Sequence, residues 1–212
     1  VLTVNEVFFS IQGEGTRAGE PCVFVRLTGC PLRCRWCDTA YAFHEGTRRS
    51  EEDVIREIEG HPTRLVQLTG GEPLAQAAAF PFVARLLDAG FRVLVETSGH
   101  ILTEGLDPRA VVVLDVKAPG SGEAHRMEWR NLDLLRATDE VKFVIADRAD
   151  FEYARDVLRE RSLPGRCTVL FSPVHGVLDP GQLARWILDE GVPARLQVQL
   201  HKYLWPGVER GV

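Results

Sequence analysis

Cys30, Cys34 and Cys37 put three thiols within eight residues, directly after the apolar run Val23-Phe24-Val25, and no fourth cysteine follows nearby. Any fold this chain adopts has to hold those thiols together on a loop just past a strand. A structural zinc site closes with four protein ligands, usually as two separated Cys/His pairs. His44, His61 or Cys22 would have to complete one here, and the second pair is missing. An iron–sulfur cube has four iron corners, each normally held by a thiolate. Three thiols leave one corner open, and an open coordination position is what a catalytic metal keeps for its substrate.

Around that cluster, short β-like runs recur: Val23-Val25, Leu65-Leu68, Val93-Val95, Val111-Leu114, Val141-Ile145, Val169-Phe171 and Leu196-Leu200. Most are followed by a helical pattern, which predicts parallel α/β architecture. Ser50 is placed to cap a helix through Asp53, with Val54, Ile55 and Ile58 at helical spacing and Gly60 and Pro62 to end it. Further helices are predicted over 82–89, 150–160 and 182–190, and 118–130 reads as a loop entering a short helix. Thr28-Gly29-Cys30, Thr69-Gly70-Gly71-Glu72-Pro73, Glu96-Thr97-Ser98-Gly99, Asp115-Val116-Lys117 and Ser172-Pro173 all fall just past predicted strands. In a parallel barrel those strand ends share the face that carries the site.

At 212 residues the chain is read as one domain, 1–212, large enough to bury its own core. No apolar run approaches the length of a bilayer span, and VLTVNEVFFSIQGEG lacks a basic region followed by an apolar one, so a cytoplasmic location is expected. In a reducing compartment five cysteines, three of them clustered, favour metal chemistry over disulfides, with Cys22 and Cys167 left as packed core thiols. A formal charge of −5 and no basic run longer than Arg48-Arg49 argue against nucleic acid as a partner.

CPLRCRWC is C-x3-C-x2-C with an aromatic residue before the third cysteine, and in this it resembles the radical S-adenosylmethionine (SAM) enzymes. The resemblance implies a partial, open β/α barrel with about six parallel core strands and an N-terminal hairpin-like extension. It also implies a [4Fe–4S] cluster on Cys30, Cys34 and Cys37, with SAM on the open iron and a 5′-deoxyadenosyl radical as the reagent. Thr69-Gly70-Gly71-Glu72-Pro73 resembles the family's glycine-rich motif, putting Gly71 and Glu72 beside the methionine moiety. Trp36 and Asp38 would flank the cofactor, and Ser98, Asp115, Lys117, Ser172 and Pro173 would line its side of the site. Read alone, Gly70-Gly71 is a strand-to-helix turn, Lys117 a partner for Asp115, and Ser172-Pro173 a strand terminator.

The string F-x-S-I-Q-G-E-G-T from Phe8 to Thr16 is more particular. With Phe24 to Cys30, Asp38-Thr39, the Glu96-Thr97-Ser98-Gly99 string and the tail from Gln199 to Trp205, it resembles the 7-carboxy-7-deazaguanine synthases over nearly the whole chain. That family contracts the ring of 6-carboxy-5,6,7,8-tetrahydropterin, with loss of ammonia, on the way to queuosine. The resemblance implies a pterin held by Gln12, Gly13, Glu14, Arg26 and Thr69, and Mg²⁺ on the hydroxyl of Thr39. It further implies His175, His201, Trp205 and Gly211-Val212 near the site or an interface, a homodimer, and an electron donor such as flavodoxin or ferredoxin. From local sequence Arg26 could instead pair with Glu14 or Glu20, Gln12 and Glu14 could mark a hairpin turn, and Thr39 could cap a helix. The rival functions are an activating enzyme that installs a glycyl radical on a partner protein and a non-catalytic zinc or iron–sulfur module.

Overall fold

The computed structural model describes all residues from 1 to 212. One sheet of nine strands runs through it in the order β3-β1-β2-β4-β5-β6-β7-β8-β9. β1 (Leu2–Ile11) pairs antiparallel with β2 (Pro21–Leu27) and with β3 (Thr47–Arg49), forming the expected N-terminal extension. From β2 onward every pairing is parallel, through β4 (Leu65–Gly70), β5 (Arg92–Thr97), β6 (Val111–Val116), β7 (Glu140–Ile145), β8 (Thr168–Pro173) and a two-residue β9 (Arg195–Leu196). This is a partial β/α barrel with six full-length parallel strands, as the family resemblance implies.

The helices form where amphipathic spacing meets a cap. α1 (Glu51–Glu59) starts at Ser50, whose hydroxyl accepts from the amide of Asp53, and buries Val54 and Ile58. α2 (Ala79–Asp88), α4 (Arg148–Glu160) and α5 (Pro180–Asp189) match the predicted helices within a few residues, and α3 (Arg130–Leu134) is the short helix after the irregular 118–130 stretch. Asp147 and Asp179 cap α4 and α5 as Ser50 caps α1. The predicted run Leu196-Leu200 is not a strand beyond Leu196, and α6 (Leu200–Leu204) begins where it was expected to end. Its alternation is inverted: Gln197 is buried while Leu196 is 42% exposed, because the glutamines have partners inside.

All the apolar packing between helices and sheet lies on one side. Val25, Leu27, Val66, Leu68, Val93 and Val95 meet α1 and α2, and Leu114, Val116, Val141, Phe143, Val169 and Phe171 meet α4 and α5. A parallel sheet covered on both faces reads as continuous hydrophobic strands. Here the alternate residues are Arg26, Gln67, Thr69, Glu96, Asp115, Glu140 and Lys142, and strand geometry sends them all to the other, concave face. Cys22 closes the base of that face in a small cluster with Phe24, Leu65 and Leu94, and Cys167 sits in the outer core, so both are packed thiols. Replacing Ser50 by Ala removes one cap and is expected to cost about 1 kcal/mol, lowering the melting temperature by about 2–4 °C in calorimetry without altering the site.

Candidate functional site

The cysteine loop leaves β2 and folds over the rim of the concave face. Pro31, Arg33 and Arg35 point out, while Leu32, Cys34 and Trp36 between them line a cavity of about 330 Å³ together with Cys30 and Cys37. Backbone contacts hold the loop: Gly71 N donates to Leu27 O at 3.0 Å, Glu72 N to Gly29 O at 2.7 Å, and Arg35 N to Ser121 O at 3.1 Å. A Cβ on Gly71 would collide with the carbonyl oxygen of Gly29 and approach Cys30 Cβ to 2.8 Å. The glycine is therefore needed so that the end of β4 can press against the loop that carries the thiols.

All five cysteines are free. Burial pushes the Cys30 thiol up and that of Cys34 up to about 11, so metal loading must displace their protons. No three Cys, His, Asp or Glu side chains converge closely enough to hold a single ion. His44 and His61 are outside the cavity wall, and His61 stacks on Phe9 at 5.3 Å instead. Three half-buried thiols around one cavity fit an iron–sulfur cluster with one iron corner left open.

Deeper in the cavity the polar strand residues form one network. Lys142, 5% exposed, reaches Glu14 Oε2 at 2.8 Å, bonds to the carboxylate of Glu96, and lies 3.9 Å from Asp115 Oδ2. Gln67 donates to Glu96 Oε2 at 2.7 Å and accepts from Gln12. Gln197 and Gln199 donate to the two oxygens of Glu14 at 2.9 and 3.0 Å. Burial alone would push the Glu14 carboxyl up, but the Lys142 ammonium with the donors on either side outweighs it and holds the group down at about 2. Burial pushes Glu96 up, and Glu14 beside it adds to the rise against the opposing pull of Lys142. Beside Glu14, His201 packs so closely on Gly13 that a Cβ there would collide with its Nδ1 and force the ring aside, and burial pushes the imidazole towards its neutral form.

Arg26 pairs with neither Glu14 nor Glu20. It stands opposite Glu6 in the β1/β2 register and its Nε donates to Glu6 Oε1 at 2.7 Å, while Glu14 is taken by Lys142 and Glu20 by Arg17 and Arg92. Its guanidinium stands over the rings of Phe8, on the cavity wall, and of Tyr41 behind it. Thr39 precedes a short 3-10 turn without capping it, and its hydroxyl contacts only Cys37 Sγ at 3.8 Å.

On the opposite wall Lys117 Nζ meets Asp115 Oδ2 at 2.8 Å, and Asp115 Oδ1 is buried with no partner. An unpaired buried acceptor is costly, and it suits the amino or hydroxyl donors of a nucleoside cofactor. Three residues expected on the cofactor side differ. Glu72 is fully buried and spent internally, accepting from Leu74 N, Thr97 Oγ1 and both Ser98 N and Oγ, so it braces the end of β5 against β4. Ser172 and Pro173 are absent from the cavity wall, Pro173 facing a neighbouring hollow.

A family model of the radical SAM superfamily matches residues 24–177. A 7-carboxy-7-deazaguanine synthase of Koribacter versatilis is 41% identical over the full length of both chains. The enzyme of the same name from Chlorobaculum tepidum is 40% identical, covering all of this chain and 97% of its own. The chain belongs to the radical SAM superfamily and, within it, to the 7-carboxy-7-deazaguanine synthases. The crystal structure of QueE from Escherichia coli superposes with a TM-score of 0.78 over 94% of each chain at 25% identity, and carries the same partial barrel. Use of SAM and an iron–sulfur cluster comes with that membership.

In this synthase, then, Gln12, Gly13, Glu14, Arg26, Cys30, Cys34, Trp36, Cys37, Asp38, Thr39, Thr69, Gly71, Ser98, Asp115 and Lys117 meet around one cavity. His175, His201 and Val212 join them, and Trp205 does not. Gln199 opens the tail motif, whereas Lys142, Gln67 and Gln197 fall in no motif. Their signal was the alternation of polar side chains within apolar strands. Gly71→Ala should push the cysteine loop off β4, costing about 1–3 kcal/mol. After anaerobic reconstitution its iron content should fall well below that of the unaltered chain, while far-UV circular dichroism stays the same.

Proposed function

We propose that residues 1–212 act as one unit converting 6-carboxy-5,6,7,8-tetrahydropterin to 7-carboxy-7-deazaguanine with release of ammonia. What carries this reading is the convergence on one cavity of three free thiols and a polar strand face headed by Gln12, Glu14, Arg26 and Thr69, in a chain whose full-length relatives carry the synthase name. When bound, the cluster on Cys30, Cys34 and Cys37 together with SAM supplies one-electron cleavage and a hydrogen-abstracting adenosyl radical. Everything else is done by side chains. Trp36 and Asp38 flank the cofactor, Gly71 and Ser98 border it, and Asp115 offers its unpaired oxygen to a donor.

On the substrate side, Glu14 accepts from the amino–amide edge of the pterin, and Gln12 and Thr69 supply neutral partners. Gly13 is the thin point of the wall, where His201 comes against it. Arg26 already spends Nε on Glu6, which leaves its two terminal nitrogens for the substrate carboxylate. Thr39 Oγ1 serves Mg²⁺, a hard cation that accepts few protein ligands when substrate oxygens fill the rest. An electron-transfer protein of the flavodoxin or ferredoxin kind delivers the electron, and a homodimer is the working form. No helix here is long and apolar enough to cross a membrane.

The decisive experiment is anaerobic reconstitution, iron and sulfide counting, and incubation with reductant, SAM and the pterin, following 5′-deoxyadenosine, ammonia and the deazaguanine. Cys34→Ala should lose iron and turnover together, while Cys22→Ala and Cys167→Ala keep both; equal loss in all three would contradict the assignment. Arg26→Gln should raise KM about tenfold to a hundredfold, the value of a charge-assisted hydrogen bond, with iron content unchanged. Cofactor cleavage that transfers radical to a protein glycine and ignores the pterin would make the chain an activating enzyme instead.

A further inference from the structure

Lys142 lies mid-strand in β7, yet the groups it joins come from three other parts of the chain: Glu14 from the loop after β1, Glu96 from β5 and Asp115 from β6. The remaining charged neighbours of the pair are accounted for. Lys117 is committed to Asp115, Glu140 accepts from Thr16 on the far side of the loop, and His201 of α6 is the one other ionisable group against Glu14. Gln12, Gln67, Thr69, Gln197 and Gln199 are neutral. So one ammonium separates two carboxylates that would otherwise face each other out of water. Like charges in that position cannot both stay ionised, and the proton they share belongs to the pair.

Resting on the synthase reading above, we propose that Lys142 is a positioning residue for the reaction: its ammonium, set between Glu14 and Glu96, keeps Glu14 an ionised, fixed acceptor for the donor edge of the pterin. Lys142 holds no part of the cofactor and need not touch the reacting atoms. Without its charge, Glu14 and Glu96 would share a proton near neutral pH, and the acceptor would return only as pH rises through the raised pKa of the pair. The depression of the Glu14 carboxyl to about 2 agrees with this geometry.

The test is equilibrium binding of 6-carboxytetrahydropterin to the reconstituted enzyme with SAM but no reductant, from about pH 6 to 9, for the unaltered protein, K142R and K142Q. Glutamine keeps hydrogen-bonding capacity and removes the charge; arginine keeps the charge. Affinity should be independent of pH in the unaltered protein and in K142R. In K142Q it should be weak at low pH and recover by up to about tenfold per pH unit as pH rises. A loss in K142Q that is the same at every pH would reduce Lys142 to a packing role and overturn the proposal, as would no loss at all. A K142Q protein that does not fold would overturn it too, making the lysine a folding element. Failure of the unaltered protein to bind the pterin sinks the synthase reading instead, and is seen before any variant is compared.

Discussion

An ammonium held out of water needs anions around it, and the concave face of this sheet is arranged about that need. Lys142 is in β7, and Glu14 follows β1, which lies five places away in the strand order. Their contact therefore spans the open side of the barrel. Thr16 repeats the crossing by donating to Glu140, and Gly15 N by donating to Gln197 Oε1 at 2.5 Å. Removing one member of a buried pair leaves an uncompensated charge worth about 3–5 kcal/mol. The loop from Gln12 to Arg17 is thus both a wall of the cavity and a strut across the barrel. Because the folded-state pKa of Glu14 is depressed, the stability it contributes is complete above its unfolded value and is lost as pH falls toward about 2.

The two faces of the sheet divide the work. Helices cover the outer face with aliphatic and aromatic side chains, and that core includes Phe143, Phe151 and Phe171 in edge-to-face contact. The inner face carries no long helix, only His201 of α6 against Gly13, and its polar groups pair with one another except at Asp115 Oδ1, so a ligand can enter without disturbing the core. The join between the faces is at the strand ends. There Glu72 ties β4 to β5 and Gly71 presses on the cysteine loop. Glu72 is spent on bracing these strand ends, and Gly71 both lines the cavity and holds the cysteine loop in place.

Strand and helix order, the capped helices and the cysteine loop were legible because each has a local cause: alternation, a Ser50-type cap, thiols at fixed spacing. The Gln12 to Glu14 and Arg26 positions were legible through motif resemblance. Lys142 was not, because a lysine in Glu-Val-Lys-Phe-Val-Ile is indistinguishable from a solvated edge residue until the register puts it beside Asp115. The ion partner of Arg26 is hidden for the same reason, since it is fixed by the antiparallel register with Glu6. Glu72 misled because a carboxylate in a glycine-rich motif carries no mark of which way its strand end turns.

Leu196 to Leu200 misled through a true signal with its sign reversed. Period-two alternation of leucine and glutamine predicts apolar side chains inward, and it does so only where the interior is apolar. This interior holds Glu14, so Gln197 and Gln199 turn in. Gln199 then does something no apolar residue could: its amide nitrogen lies 3.0 Å from Glu14 Oε1 and 3.3 Å from Asp38 Oδ2. Lys202, one turn of α6 later, adds an ion pair to Asp38 at 3.4 Å. One side chain therefore links the Glu14 carboxylate to the residue that follows the third cysteine. The tail closes over the cavity along this seam, with Val208, Glu209 and Val212 on its wall. The amide of Gln199 is thus the one direct side-chain bridge between Asp38 and Glu14, and it belongs to the tail that lines the cavity.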